Sequence, residues 1–174
     1  MSVNRATRRL AMQALFQLDV HAGQNVAAIL AGLRDENSSD LNAADIADAF
    51  ALAQGAWGAR AACDAATAAL APTWPAHRQA AVDRAILRLA HFDMTAGPGA
   101  RKPKVVMNDA IEIAKEFSTE KSPGFINGLL DKIYRALPST DTAAAPSHPA
   151  ESAAPVIVSP GTSAALTDGA ADPA

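Results

Sequence analysis

Cysteine is almost missing from this chain, with Cys63 the single one among 174 residues. One sulfur builds neither a disulfide framework nor a thiolate metal cage. Aromatic residues are also scarce, at 5%, and no apolar run approaches the ~18 residues that a membrane-spanning helix needs. The amino-terminal stretch has Arg5, Arg8 and Arg9, but Gln13, Gln17 and Asp19 interrupt the apolar residues after them, so no secretory signal is expected. The histidines His21, His77, His91 and His148 lack the H-x-x-x-H or E-x-x-H spacing that sets two metal ligands on one helix face. Gly97-Pro98-Gly99 is not followed by Gly-Lys-Ser/Thr, so it makes no phosphate loop. Cys63 sits among alanines with no histidine nearby, which reads as a small buried hydrophobe and not a nucleophile. These absences argue against an enzyme, a cofactor or a metal centre, and they place the chain in the cytoplasm.

Hydrophobic residues make up 49% of the chain, and much of that is alanine. Alanine is the best helix former, whereas β-branched and aromatic residues favour strands, so close-packed helices are the expected route to a core. Six segments show a 3.6-residue period. The first covers about 4–20, with Leu10, Ala11, Ala14, Leu15 and Leu18 on one side, and stops near Gly23. The second has Val26, Ile29, Leu30 and Leu33 in register and breaks at Asn37-Ser38-Ser39-Asp40. A long third segment runs over about 42–70, where Gly55 and Gly58 bend or divide it, and Pro72 and Pro75 end it. The fourth covers about 78–94, with Val82, Ile86 and Leu89 inward. The fifth opens at Pro103, a good first-turn residue, and buries Val106, Ala110, Ile113, Ala114 and Phe117. The sixth opens at Ser122-Pro123, read as an N-cap and N1 proline, and continues through Ile126, Leu129, Leu130, Ile133 and Leu137. No period-2 strand is visible, so the fold class is all-α, a compact helical bundle.

From Pro138 to Ala174 the composition changes to Ala, Pro, Ser, Thr and Gly, with Asp141, Glu151, Asp168 and Asp172 and no Lys or Arg. Such a segment has too few apolar side chains to offset its ordering entropy and is expected to be a disordered tail, leaving 1–137 as the folded domain. The net charge of −3 therefore averages two unlike parts. Residues 1–137 hold all 15 Lys and Arg and, with four acids in the tail, 14 of the 18 Asp and Glu, a formal charge of +1.

The basic residues cluster. On a helical wheel Arg5, Arg8, Arg9, Met12, Gln13 and Phe16 share one face of the first segment, with no acid before Asp19. One reading is a solvated basic face with Phe16 tucked inward. The other is a nucleic-acid surface, in which guanidinium groups meet phosphates, Gln13 a base edge and Phe16 a stacked base. The loop Glu120-Lys121-Ser122-Pro123-Gly124-Phe125 allows the same pair of readings: an ordinary cap with Phe125 buried, or a phosphate seat at a helix N-terminus with Lys121 beside it. A third basic run, Arg101-Lys102-Pro103-Lys104, opens the fifth segment.

Four blocks of this chain resemble one family, the NusB family. Arg8-Arg9-Leu10-Ala11-Met12-Gln13-Ala14-Leu15-Phe16-Gln17 resembles its Arg-rich opening and "A-x-Q-A-L-[YF]-Q" helix. The run 82–90, VDRAILRLA, is similar to "[VI]-[DE]-[KR]-A-[IV]-L-R-[IL]-A". The run 103–117 is similar to "P-x-x-V-x-I-N-E-A-[IV]-E-L-A-K-x-[FY]", with Asp109 in place of Glu. The run 118–131 resembles "G-T-E-K-S-P-G-F-[VI]-N-G-[VI]-L-D", with Ser118 in place of Gly. The blocks fall in family order across 5–137, while the alanine-rich middle and the tail show little counterpart.

This resemblance implies six to seven helices in two packed sub-bundles, and a binding protein in place of an enzyme. It implies a transcription antitermination factor that binds the single-stranded boxA element of nascent rRNA-operon RNA with ribosomal protein NusE. Together they join a complex that lets RNA polymerase pass terminators. Carried over by motif, the RNA-side candidates are Arg5, Arg8, Arg9, Gln13, Phe16, Arg88, Lys104, Lys121 and Phe125, and the NusE-side candidates are Asp83 and Arg84. Some family members also pair through the basic face, so a homodimer is a further expectation. Two alternatives remain: a helical interaction module without RNA binding, and the targeting domain of a split rRNA methyltransferase.

Overall fold

The computed structural model describes residues 3–37 and 41–138. The expected tail, Pro138 apart, lies outside them, as do Ser38, Ser39 and Asp40 of the expected break. Among the described residues there are seven α-helices and no strand: α1 (Arg5–Val20), α2 (Val26–Asn37), α3 (Ala43–Gly58), α4 (Arg60–Leu70), α5 (Ala81–Thr95), α6 (Pro103–Phe117) and α7 (Ser122–Ala136). The all-α expectation holds, and none of these helices is long and apolar enough to cross a membrane.

Local chemistry explains most of the boundaries. Asn4 has extended backbone, and its side chain accepts the Thr7 N–H at 2.9 Å, satisfying one of the orphan donors at the start of α1. Asn42 does the same for Ala44 and Asp45 at the start of α3, with Asp45 complementing the positive helix end. Pro103 occupies the first turn of α6 as expected. The long third segment divides at Ala59, just after Gly58. Gly55 stays inside α3 for a packing reason. A Cβ there would lie 2.4 Å from the Phe92 ring of α5, so only glycine admits that ring.

Two expectations need correction. The fourth helix begins at Ala81 and not at Arg78, because Ala76–Arg78 forms a separate 3₁₀ turn and Gln79 and Ala80 are extended. Ser122 is not a side-chain cap either: the N-cap position falls to Lys121, and the Ser122 hydroxyl is turned toward Asp83.

The helices form two sub-bundles, α1–α3 and α4–α7, joined through α5, which packs against both α1 and α3. Leu10, Leu15, Leu18, Ile86, Leu87, Met94, Ile126 and Leu130 are fully enclosed. Burial of each such side chain stabilises the fold by about 1.5–3 kcal/mol before entropy is counted. Because α1 touches α2, α3, α5 and α6, it is covered nearly all round. That coverage decides what becomes of its arginines.

Candidate nucleic-acid interface

The face of α1 read as four turns of positive surface is not one surface. Arg8 is only 5% exposed, and Met12 and Thr7 beside it are also buried. The Arg8 Nε donates to Asp93 Oδ2 at 2.8 Å, and Nη1 donates to Asp109 Oδ2 at 2.9 Å and to the Val3 carbonyl at 2.8 Å. One guanidinium thus ties α1 to α5, α6 and the chain entering α1. Asp93 is completely buried, and its second oxygen accepts the Gly99 N–H at 2.7 Å. The backbone approaches so closely there that a Cβ on Gly99 would fall 2.7 Å from that oxygen and 2.3 Å from Val106. Every charge in this cluster is paired and hydrogen-bonded, the condition under which burial of ions is tolerated.

A second, partly buried cluster lies on another side of α5. Arg88 donates to both oxygens of Asp64 on α4, at 2.8 and 2.7 Å, and to Asp19 on α1 at 2.8 Å. Arg84 also donates to Asp19 and reaches the carbonyls of Ala76 and Gln79, fixing the turn before α5. Burial works against the Asp19 carboxylate, but hydrogen bonds and charge from Arg84 and Arg88 outweigh it and hold the group below its ordinary value. Burial likewise works against the Arg88 cation, and the two carboxylates more than compensate, raising its affinity for the proton. Arg88 is therefore a cross-brace between the sub-bundles.

Asp83, expected to face a partner, is buried as well. Its two oxygens accept the hydroxyls of Ser118 at 2.5 Å and Ser122 at 2.9 Å, and Thr119 Oγ1 lies 2.8 Å from Ser122 Oγ. The α6–α7 loop is thereby pinned to α5, and Lys121 is left at the surface. A glycine at position 118 would have no hydroxyl to offer, so Ser118 adds a bond to Asp83.

What remains exposed is narrower than the wheel suggested. Arg5 is 54% exposed at its side chain beside Asp109, at 3.1 Å, and Arg9 is 35% exposed with Glu116 at 3.5 Å. Gln13 is half-buried, and its Oε1 has no hydrogen-bond partner. Phe16 and Phe125 are half-buried and packed against the core. Lys104 is exposed at the start of α6, with its ammonium 5.8 Å from the centre of the Tyr134 ring. Arg8, Arg88 and Asp83 thus take internal partners, and Arg84 does so in large part. Their partners Asp19, Asp64, Asp93 and Asp109 went unnoticed in the sequence. Pairs 24 to 101 residues apart leave no local signal.

Burial pushes the Cys63 thiol up to about 12, and its sulfur donates to the Leu87 carbonyl at 3.6 Å, so it stays protonated and structural. Among the described residues no group of three or more His, Cys, Asp and Glu could hold a metal ion.

The model of the NusB family matches residues 5–135. The chain belongs to the NusB family. Among curated relatives, it is 36% identical over 135 residues to the transcription antitermination protein NusB of Herpetosiphon aurantiacus, covering 76% of this chain and 90% of that one. It is 39% identical over 138 residues to the NusB protein of Geobacter sulfurreducens, covering 79% and 98%. Among solved structures, T. maritima NusB superposes with a TM-score of 0.66 at 29% identity, covering 78% of this chain and 94% of that one. A chain from a crystal structure of the antitermination factors NusB and NusE with double-stranded RNA shares the fold, with a TM-score of 0.66 at 23% identity over 76% and 96%. These NusB-family relatives are matched over nearly their whole length, so the two-sub-bundle domain is the shared unit.

Proposed function

We propose that this chain is a transcription antitermination factor of the cytoplasm. In this reading it binds the boxA element of nascent rRNA-operon RNA together with NusE and so joins the complex that carries RNA polymerase past terminators. The observation that carries the reading is the family match across the whole helical domain, with relatives that are themselves named antitermination proteins. A structural neighbour caught with NusE and RNA supports it. The exposed residues fit the role. Arg5, Arg9 and Lys121 offer charge for phosphates, and the half-buried Phe16 and Phe125 are the candidates for stacking on bases, each stacked base being worth about 1–3 kcal/mol. Gln13 is the base-edge candidate only if its side chain turns outward, because its carbonyl oxygen is buried without a hydrogen-bond partner. Arg8 and Arg88 act from behind, by holding the helices that carry these groups. Arg84, part-exposed beside Asp19, remains the NusE-side candidate, and Asp83 serves it by fixing the α6–α7 loop.

Titration of labelled boxA RNA, with and without NusE, tests this. Neutralising about three to five phosphates of a single strand gives a slope of log affinity against log salt of roughly −2 to −3.5. NusE should tighten binding by bridging RNA and protein. Equal binding to a scrambled RNA, indifferent to NusE, would sink the proposal. A duplex of the same sequence separates single-strand from double-strand preference. Sedimentation with and without RNA tests the expected homodimer, since pairing through the exposed edge of α1 competes with RNA.

A further inference from the structure

The third basic run of the sequence opens onto a feature apart from α1. An open cleft of about 680 Å³ lies between the end of α5, the start of α6 and the end of α7. Its volume falls within the roughly 300–1,000 Å³ typical of ligand clefts. Arg101, Lys102, Lys104 and Arg135 line it, and among the described residues no Asp or Glu does. Only Arg135 has an ion pair, with Asp131 at 2.9 Å, and that pair is largely solvent-exposed. No carboxylate among the described residues pairs with Arg101, Lys102 or Lys104. The contrast with Arg8 and Arg88 is sharp, because each of those has two carboxylates within 2.9 Å. Unpaired like charges gathered around a concavity repel one another and raise the local concentration of anions.

The cleft is more than a charge trap. Tyr134 contributes an aromatic ring to its wall, with the Lys104 ammonium over it, and Met94, Val105 and Leu137 supply apolar surface. Cations that meet phosphates beside a ring that stacks bases are the two components of a single-strand nucleic-acid groove. An acidic peptide would neutralise the cations but would give the ring no planar partner.

We propose that this cleft is a second RNA contact, holding the phosphodiester backbone of a single strand with a base stacked on Tyr134. The proposal rests on the reading of the chain as an RNA-binding protein and extends that reading to Arg101, Lys102, Tyr134 and Arg135.

Tyr134 is the single tyrosine of the chain, so 3-fluorotyrosine labelling of the full-length protein places one ¹⁹F reporter in the cleft. Addition of a boxA RNA with single-stranded flanks should move this resonance, whereas a polyglutamate peptide should not. Arg101→Ala with Lys102→Ala should lower the magnitude of the salt slope by about 1.4, two phosphates at ~0.7 each, and weaken binding on the order of tenfold near 0.1 M salt. Arg135→Ala serves as an independent variant. Both sites are exposed, so unchanged helical content by circular dichroism is the folding control. RNA binding with the normal slope in these variants, together with an unmoved ¹⁹F signal, overturns the cleft assignment and leaves the RNA reading intact. No RNA binding by the wild-type chain overturns both. A resonance moved by polyglutamate and not by RNA assigns the cleft to an acidic polypeptide instead, which also overturns the proposal.

Discussion

Arg8 on α1 and Arg101 before α6 each stand in a short basic run, and on a helical wheel or in a charge count they look alike. In the folded chain Arg8 lies in the interior between two aspartates, whereas Arg101 stands at the rim of a cleft with no carboxylate lining. The difference lies in what the tertiary structure brings up against each residue. α1 is surrounded by four helices, so a long side chain there must find buried partners or unfold the site. Arg101, at the end of the Pro98–Arg101 turn, is exposed, so its cation keeps its hydration and needs no partner. A basic run is therefore a candidate ligand surface only where the fold leaves its cations at the surface.

The largest test of this contrast is Arg8→Met. It strands the buried Asp93 without its counter-charge and leaves Asp109 with Arg5 alone, and loss of one member of a buried ion pair costs roughly 3–5 kcal/mol. Urea denaturation checks it, and a loss under about 1 kcal/mol would show that Arg8 is not structural. For the same reason an Arg8 variant is a poor probe of RNA contact, and Arg9→Ala is the cleaner one, since its exposed pair with Glu116 contributes about 0–1 kcal/mol.

A smaller effect is expected at Asp19, whose pairs are partly exposed. Its folded state holds the proton less readily than the unfolded chain does. The stability it confers is therefore complete above the ordinary value of 3.8 and is lost as pH falls through the lower folded value. Asp19→Asn should flatten that acid limb in a stability-versus-pH series, and an unchanged limb would refute the assignment. Next comes Ser118→Gly, which removes one hydroxyl donor from Asp83. A loss of about 0.5–1.5 kcal/mol is expected, with greater hydrogen exchange in the loop that carries Lys121. If loop exchange is unaffected, the Asp83 anchor is unimportant. At the far end of the scale, Arg101→Ala with Lys102→Ala should leave stability within about 0.5 kcal/mol. A larger drop would mean that these cations already have structural partners and would erase the contrast with Arg8.

Much of the fold was legible from the chain. Period-3.6 runs of Leu, Ile, Val and Ala marked six segments, the third of which is two helices, and Pro103 marked the start of α6. Gly58 marked the division of the long third segment, although Gly55 proved to be a packing residue for Phe92. The family itself was legible in the run 118–131. The site was much less so. Three of its expected residues, Arg8, Arg88 and Asp83, are buried with internal partners, while Arg5, Arg9, Gln13, Phe16, Arg84, Lys104, Lys121 and Phe125 remain wholly or partly exposed.

The reason is one of range. Helix periodicity, caps and breaking residues act over a few neighbours, so the amino-acid order alone specifies the helices and the residue types on each face. Whether a charged side chain on such a face is paired depends on carboxylates up to about a hundred residues distant, and only the packing of α1, α5 and α6 brings those together. The cleft at Arg101 and Tyr134 belongs to the same class of facts. Its cations are local to one run, but its ring arrives from another helix, and the site exists only once α6 and α7 are packed side by side.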